Sequence, residues 1–202
     1  MENRTYSAGM VSCLFWFQET RKTAEMMRGG LTLPEIRAKA VEENIYQVRS
    51  PERATRIAGV SFKRLATLDT PLQSLFLTAD IKTAKLILLL SIMKTDLLFY
   101  EFMHTTLKQT VILGQRALPD SAVTLFFDRK ISESPEVAAF SENAIRKLKQ
   151  IYIKVLVEAD ILTSSKDRVI QTPMIDYRLH DAVAAAGMLP YLAVLTGEEY
   201  DD

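Results

Sequence analysis

The chain has 202 residues, with 25 Lys or Arg against 25 Asp or Glu, so its formal charge near neutral pH is zero. Hydrophobic residues make up 48% and charged residues 25%, with only 7 Gly and 7 Pro, a globular composition that excludes disordered, collagen-like and disulfide-stapled classes. The single cysteine, Cys13, has no internal disulfide partner, which favours a reducing compartment. Its apolar neighbours Leu14 to Phe17 make it read as a buried structural thiol rather than a nucleophile. The N-terminus lacks the order of a signal peptide, and the most apolar run, residues 86–93, falls far short of the ~20 residues of a spanning helix. A cytoplasmic protein with no membrane role is expected.

The predicted elements are almost all helices. A first helix over 15–28 stops at Gly29-Gly30. Thr32-Leu33-Pro34-Glu35 has the form of a capping box and opens a short helix to about Glu43, which Asn44 can close in a left-handed conformation. Ser50 as N-cap, Pro51 at the first helical position and Glu52 at the positive end of the dipole open a longer helix to about Leu68. Together, residues 33–68 have the outline of a helix-turn-helix. Thr70-Pro71 and Asp80 start two more helices, leading into a leucine-rich stretch over 81–113 that breaks near Lys94-Thr95.

Pro119-Asp120 divides the chain into an N-terminal helical unit, 1–118, and a C-terminal unit, 119–202. In the second unit, helices are expected over 121–130, 135–140 and 141–162, then one short β-hairpin over 162–173 that turns at Ser164 to Asp167. Asp176 caps a last substantial helix, closed by Gly187. The fold class is therefore all-α: a helix-turn-helix part, a helical middle, and a winged-helix-like C-terminal part.

The zero net charge conceals a polarised distribution. Residues 45–68 carry Arg49, Arg53, Arg56, Lys63 and Arg64 against Glu52 alone, and residues 143–157 carry Arg146, Lys147, Lys149 and Lys154 with no acid. An acidic tail follows, with Glu198, Glu199, Asp201 and Asp202 around Tyr200. At about 100° per residue, Arg53, Arg56, Lys63 and Arg64 fall near 0°, 300°, 280° and 20°, beside an apolar arc from about 40° to 180°. The second basic helix behaves similarly, although Ile153 and Val157 intrude on its basic side. An ordinary solvated face gives a bland explanation, but such faces normally mix signs. Single-sign stripes point instead to a polyanion, and arginines suit bidentate contacts to phosphate.

Residues 43–68, ENIYQVRSPERATRIAGVSFKRLATL, and residues 146–162, RKLKQIYIKVLVEADIL, resemble two signature segments of the BrxA family, small accessory proteins of BREX phage-defence systems. The likeness extends over about 17–162, with one departure: Asp160 stands where a Gly is expected, at a turn an Asp can still make. The resemblance implies an all-helical, non-enzymatic component that binds double-stranded DNA and works with other BREX proteins. Carried over, the DNA-contact candidates are Arg49, Ser50, Arg53, Arg56, Lys63 and Arg64, then Arg146, Lys147, Lys149 and Lys154.

The sequence offers little to catalysis. Only two histidines occur: His104, among aromatic residues, reads as a core or interface residue, and His180 and Asp181 are adjacent on a helix and diverge by about 100°. No HExxH, CxxC, P-loop or GxGxxG is present, so no metal or other cofactor is expected. The rival readings are a helical scaffold whose basic faces meet acidic proteins, with the leucine-rich helices as an assembly surface, and an RNA-binding or transcription-regulating factor.

Overall fold

In the computed structural model, residues 5–198 are described, and the chain follows the expected helical order. Helix α1, Phe17–Arg28, starts two residues later than expected because Trp16 takes a left-handed conformation (φ 52°). It ends at the glycine pair, with Gly30 at φ 86°. Helix α2, Leu33–Glu42, opens on the expected capping box, Glu35 Oε2 accepting from Thr32 N–H at 2.7 Å, and Asn44 closes it at φ 46°. Residues 43–50 then connect to α3, Pro51–Ala66, through a second left-handed residue, Gln47. This link is longer than the ~3–4-residue turn of a compact helix-turn-helix. Ser50 caps α3 by accepting Arg53 N–H at 3.2 Å. Trp16, Ile36, Ala40, Tyr46, Ala54, Ile57 and Ala58 form one apolar cluster that packs α1, α2 and α3 together.

Three aspartates set the next starts. Asp69 caps α4 (Thr70–Thr78), Asp80 caps α5 (Ile81–Thr95), and Asp96 both breaks the leucine-rich run, as expected there, and caps α6 (Leu97–Phe102). Every residue of α5 from Leu86 to Met93 is buried, so the apolar run is a core helix packed on α3 and α4. Among the described residues, no helix is long and apolar enough to cross a membrane. A π-helical turn, Met103–Leu107, which the sequence reading does not anticipate, joins α6 to α7, Lys108–Ile112.

Helices α8 (Asp120–Glu133), α9 (Pro135–Ala138) and α10 (Glu142–Glu158) follow. Tyr152 of α10 sits among Phe99, Phe102 and Phe127, with ring centroids 4.9, 5.2 and 5.5 Å away. The main apolar cluster runs from Met10 to Leu195 and includes side chains on both sides of Pro119. Asp160 takes the left-handed position (φ 61°), and its carboxylate pairs with Lys85 at 2.7 Å. The hairpin forms as isolated bridges rather than strands: Thr163 N–H donates to Val169 O at 3.0 Å and Gln171 N–H to Ile161 O at 2.8 Å. Its outer edge is paired too, Leu118 N–H donating to Arg168 O and Ile170 N–H to Arg116 O, both at 3.0 Å.

Helix α11, Tyr177–Ala185, has the expected Asp176 cap and ends near Gly187. A further helix, α12 (Leu189–Thr196), was not foreseen. It is short and almost wholly apolar, so it has no helical periodicity to read; Pro190 in its first turn and Gly197 at its end were its only signals. Cys13, expected to be buried, is half-buried. The acidic tail, beyond Glu198, lies outside the described residues.

The Ser50 cap supports the helix that carries the first basic stripe. Ser50→Ala is expected to cost about 1 kcal/mol, lowering Tm by about 2–4 °C in a chain of this size; thermal unfolding followed by circular dichroism checks this.

Candidate nucleic-acid interface

Helix α3 has a narrow buried face and a wide wet one. Ala54, Ile57, Ala58, Ser61, Arg64 and Leu65 are buried against α1, α2 and α5, while Arg53, Arg56 and Lys63 are exposed. Arg49 is exposed just ahead of the cap, and Ser50 is half-buried at it. Four of the five expected cations therefore reach solvent.

Arg64 does not. It is 3% exposed, and its Nη1 donates to the carbonyls of Leu14 at 2.8 Å and Phe15 at 3.0 Å. The correction has a simple geometric cause. Position 64 lies only about 20° from Ile57 in the helical projection, so the buried arc begins one position earlier than residue type suggests. Burial lowers its pKa to about 10, partly offset by the nearby Cys13 and Asp96. Asp96, which receives Phe99 N–H at 2.8 Å, is pushed up to about 6 by its own burial, against the opposing pull of that N–H, Arg64 and Lys63.

Between α2 and α3 lies a groove of about 720 Å³. Arg56 and Lys63 line it from α3 and Arg37 lines it from α2, with Glu52 as the one acid in the lining. The Glu52 carboxylate is engaged by the Ser50 hydroxyl, which holds its pKa below the usual carboxylate value. Among the described residues, Arg37, Arg49, Arg53, Arg56 and Lys63 take part in none of the ion pairs. Sequence reasoning missed Arg37, because a single Arg in a mixed-charge helix gives no signal until the fold sets it against α3.

The second basic helix is differently disposed. Arg146, Lys147 and Lys154 are exposed and Lys149 is half-buried. Lys154 faces Glu158 at 3.7 Å, Arg146 donates to Asn143 Oδ1 at 2.9 Å, and Lys149 Nζ stands 5.8 Å from the Phe127 ring centroid. A cleft of about 770 Å³ brings Arg146, Lys149 and Lys154 together with Arg168 of the hairpin, which is paired to Asp120 at 2.8 Å. Ile153 and Val157, the two apolar residues on the basic side, line this cleft. Of the four candidates here, Lys154 alone takes part in an ion pair among the described residues, and Asp120 is engaged by Arg168.

The described residues hold no cluster of three or more His, Cys, Asp or Glu side chains suited to a metal ion. His104 is exposed beside the Tyr100 ring rather than in the core. His180 Nδ1 does approach Asp181 Oδ1, at 3.4 Å on the helix surface, contrary to the divergence expected of adjacent positions. Glu101 is occupied by Lys130 at 2.7 Å and by the Tyr6 hydroxyl at 2.9 Å.

This all-helical fold recurs in a crystal structure of an uncharacterized protein from Magnetospirillum magneticum, at a TM-score of 0.83 and 17% identity, covering 96% of this chain and 100% of that one. The BrxA family model matches residues 4–187. A BREX protein BrxA from Bacillus cereus (strain H3081.97) is 34% identical over 199 residues, which is 98% of this chain and 100% of the relative. Another from Escherichia coli O9:H4 (strain HS) is 23% identical over 184 residues, 90% of this chain and 85% of its own length. The chain belongs to the BrxA family of BREX defence proteins.

Two outcomes test the buried charge. Arg64→Leu should cost roughly 3 kcal/mol, because two carbonyls lose a charged donor; denaturant unfolding measures it. Folding raises the pKa of Asp96 to about 6 from an unfolded value near 4, so its contribution to stability is complete below about 4 and lost as pH rises through about 6. The stability of Asp96→Asn relative to the parent should therefore increase between pH 4.5 and pH 7 in urea titrations at the two pH values.

Proposed function

We propose that the chain is a non-enzymatic DNA-binding accessory protein of a BREX system, acting alongside other BREX proteins. Arg49, Arg53, Arg56 and Lys63 contact the phosphates of double-stranded DNA, with Ser50 holding the helix start. The observation that carries this reading is the row of exposed cations on α3 that take part in none of the ion pairs among the described residues. A face kept only for solubility gains from opposite-sign neighbours at i,i+4; here the one such neighbour, Glu52 before Arg56, is engaged by the Ser50 hydroxyl instead. Phosphate contact is the interaction that repays such an arrangement, since each neutralised phosphate releases a counterion.

Arg146, Lys147, Lys149 and Lys154 form a weaker, second binding region in the 119–202 unit, because Glu158 already pairs with Lys154 and Lys149 is half-buried beside Phe127. The paired hairpin that follows α10 supports the winged-helix-like reading of this part. Since phosphates carry no sequence information, binding is largely independent of sequence. The scaffold alternative loses the middle of its assembly surface, as α5 is buried from Leu86 to Met93. Exposed Leu113 and Leu125, each at 69%, leave room for a protein partner elsewhere, at the end of α7 and on α8.

Changing Arg53 and Arg56 together to Glu should leave the fold intact, since both side chains face water. It should weaken duplex binding strongly and flatten its salt dependence by about one unit of slope for each phosphate left without its cation. Anisotropy titrations of a labelled duplex over a salt series read both quantities, with single-stranded DNA and RNA as parallel probes. Unchanged binding by a folded double variant would return this face to the status of a solvated surface.

A further inference from the structure

Arg37 reaches α3 at a position that has no side chain to obstruct it. A Cβ placed on Gly59 would lie 3.1 Å from Arg37 Nη2, and its three nearest heavy atoms would all belong to that guanidinium group. Glycine in the middle of a helix is unfavourable relative to alanine or leucine, yet Gly59 sits well inside α3. The space it leaves is filled by the flat guanidinium. Arg37 thereby reaches the groove beside Arg56 and Lys63, three cations against a carboxylate already engaged by Ser50.

We propose that this groove is a phosphate-binding site, in which Arg37, seated on Gly59, takes a phosphodiester of the nucleic acid that α3 approaches. The inference rests on the DNA-binding reading above and adds α2 to the binding surface. A guanidinium offers two parallel N–H groups to phosphate oxygens, a geometry no lysine supplies. Seating it in advance removes much of the ordering cost that a free arginine incurs on binding. The same convergence explains why the groove holds cations from two helices, where an ordinary solvated groove would alternate signs.

The test is a salt series of anisotropy titrations with a labelled duplex, using Arg37→Gln, Gly59→Leu, their combination and Arg53→Glu/Arg56→Glu. Arg37→Gln should lose affinity several-fold and about one unit of salt slope. Gly59→Leu fills the seat of the guanidinium and adds a better helix former. It should match or exceed the parent in Tm while losing the same affinity, an outcome that a purely structural role for Gly59 does not give. The combined variant should bind no more weakly than either single one, because both remove the same phosphate interaction. If Arg37→Gln binds with the parent's affinity and slope while Arg53→Glu/Arg56→Glu loses both, the groove proposal fails and the α3 reading stands. If Gly59→Leu weakens binding and Arg37→Gln does not, the groove is merely sterically sensitive and the proposal fails as well. If neither the parent nor any variant binds in a salt-dependent way, both readings fall together.

Discussion

The buried guanidinium of Arg64 ties the segment ahead of α1 to the last turns of α3. Its charge is 3% exposed and is held by the carbonyls of Leu14 and Phe15. Exposing those groups to a loosened, half-dry interior would leave a charge without full hydration or full hydrogen bonding, a costly state. The segment ahead of α1 and the last turns of α3 therefore stay together, and the rotation of α3 about its own axis is set. With that face turned inward, Arg56 and Lys63, about 80° and 100° further round the helix, are left facing water and α2. The surface chemistry follows from the interior one.

The two basic helices then differ in what their neighbours do. On α3 the one acid of the helix, Glu52, is engaged by the Ser50 hydroxyl and takes part in none of the ion pairs among the described residues. On α10, Glu158 and the Asp120–Arg168 pair lie within the same cleft as the lysines, and Lys149 leans over Phe127. Two basic segments in the sequence, of five and four cations, thus become surfaces of different pairing. Membership of the BrxA family sets the cellular setting of both, a BREX system.

Much of the fold was legible because the signals were local. Caps at Thr32, Ser50, Asp80 and Asp176, the break before Asp96 and the left-handed turns at Asn44 and Asp160 each depend on a few neighbouring residues whose chemistry admits one arrangement. What could not be read depends on distant parts of the chain. Arg64 looked like its exposed neighbours until the chain 50 residues earlier supplied its acceptors. Arg37 gave no signal because only packing against Gly59 brings it to the groove. Helix α12 escaped because eight mostly apolar residues show no period. The hairpin was visible in its turn, whereas its third paired segment at 116–118 lies more than 40 residues away.

On the proposed reading, α3, flanked by α2, meets duplex nucleic acid with its exposed cations. Amide and arginine side-chain chemical-shift mapping of the ¹⁵N-labelled protein during titration with a short duplex tests that claim residue by residue. The largest shifts are expected at Arg37, Arg49, Arg53, Arg56 and Lys63, with smaller ones on α10 and an unmoved Arg64. Shifts confined to the exposed apolar ends of α7 and α8, or none at all at low salt, would contradict it.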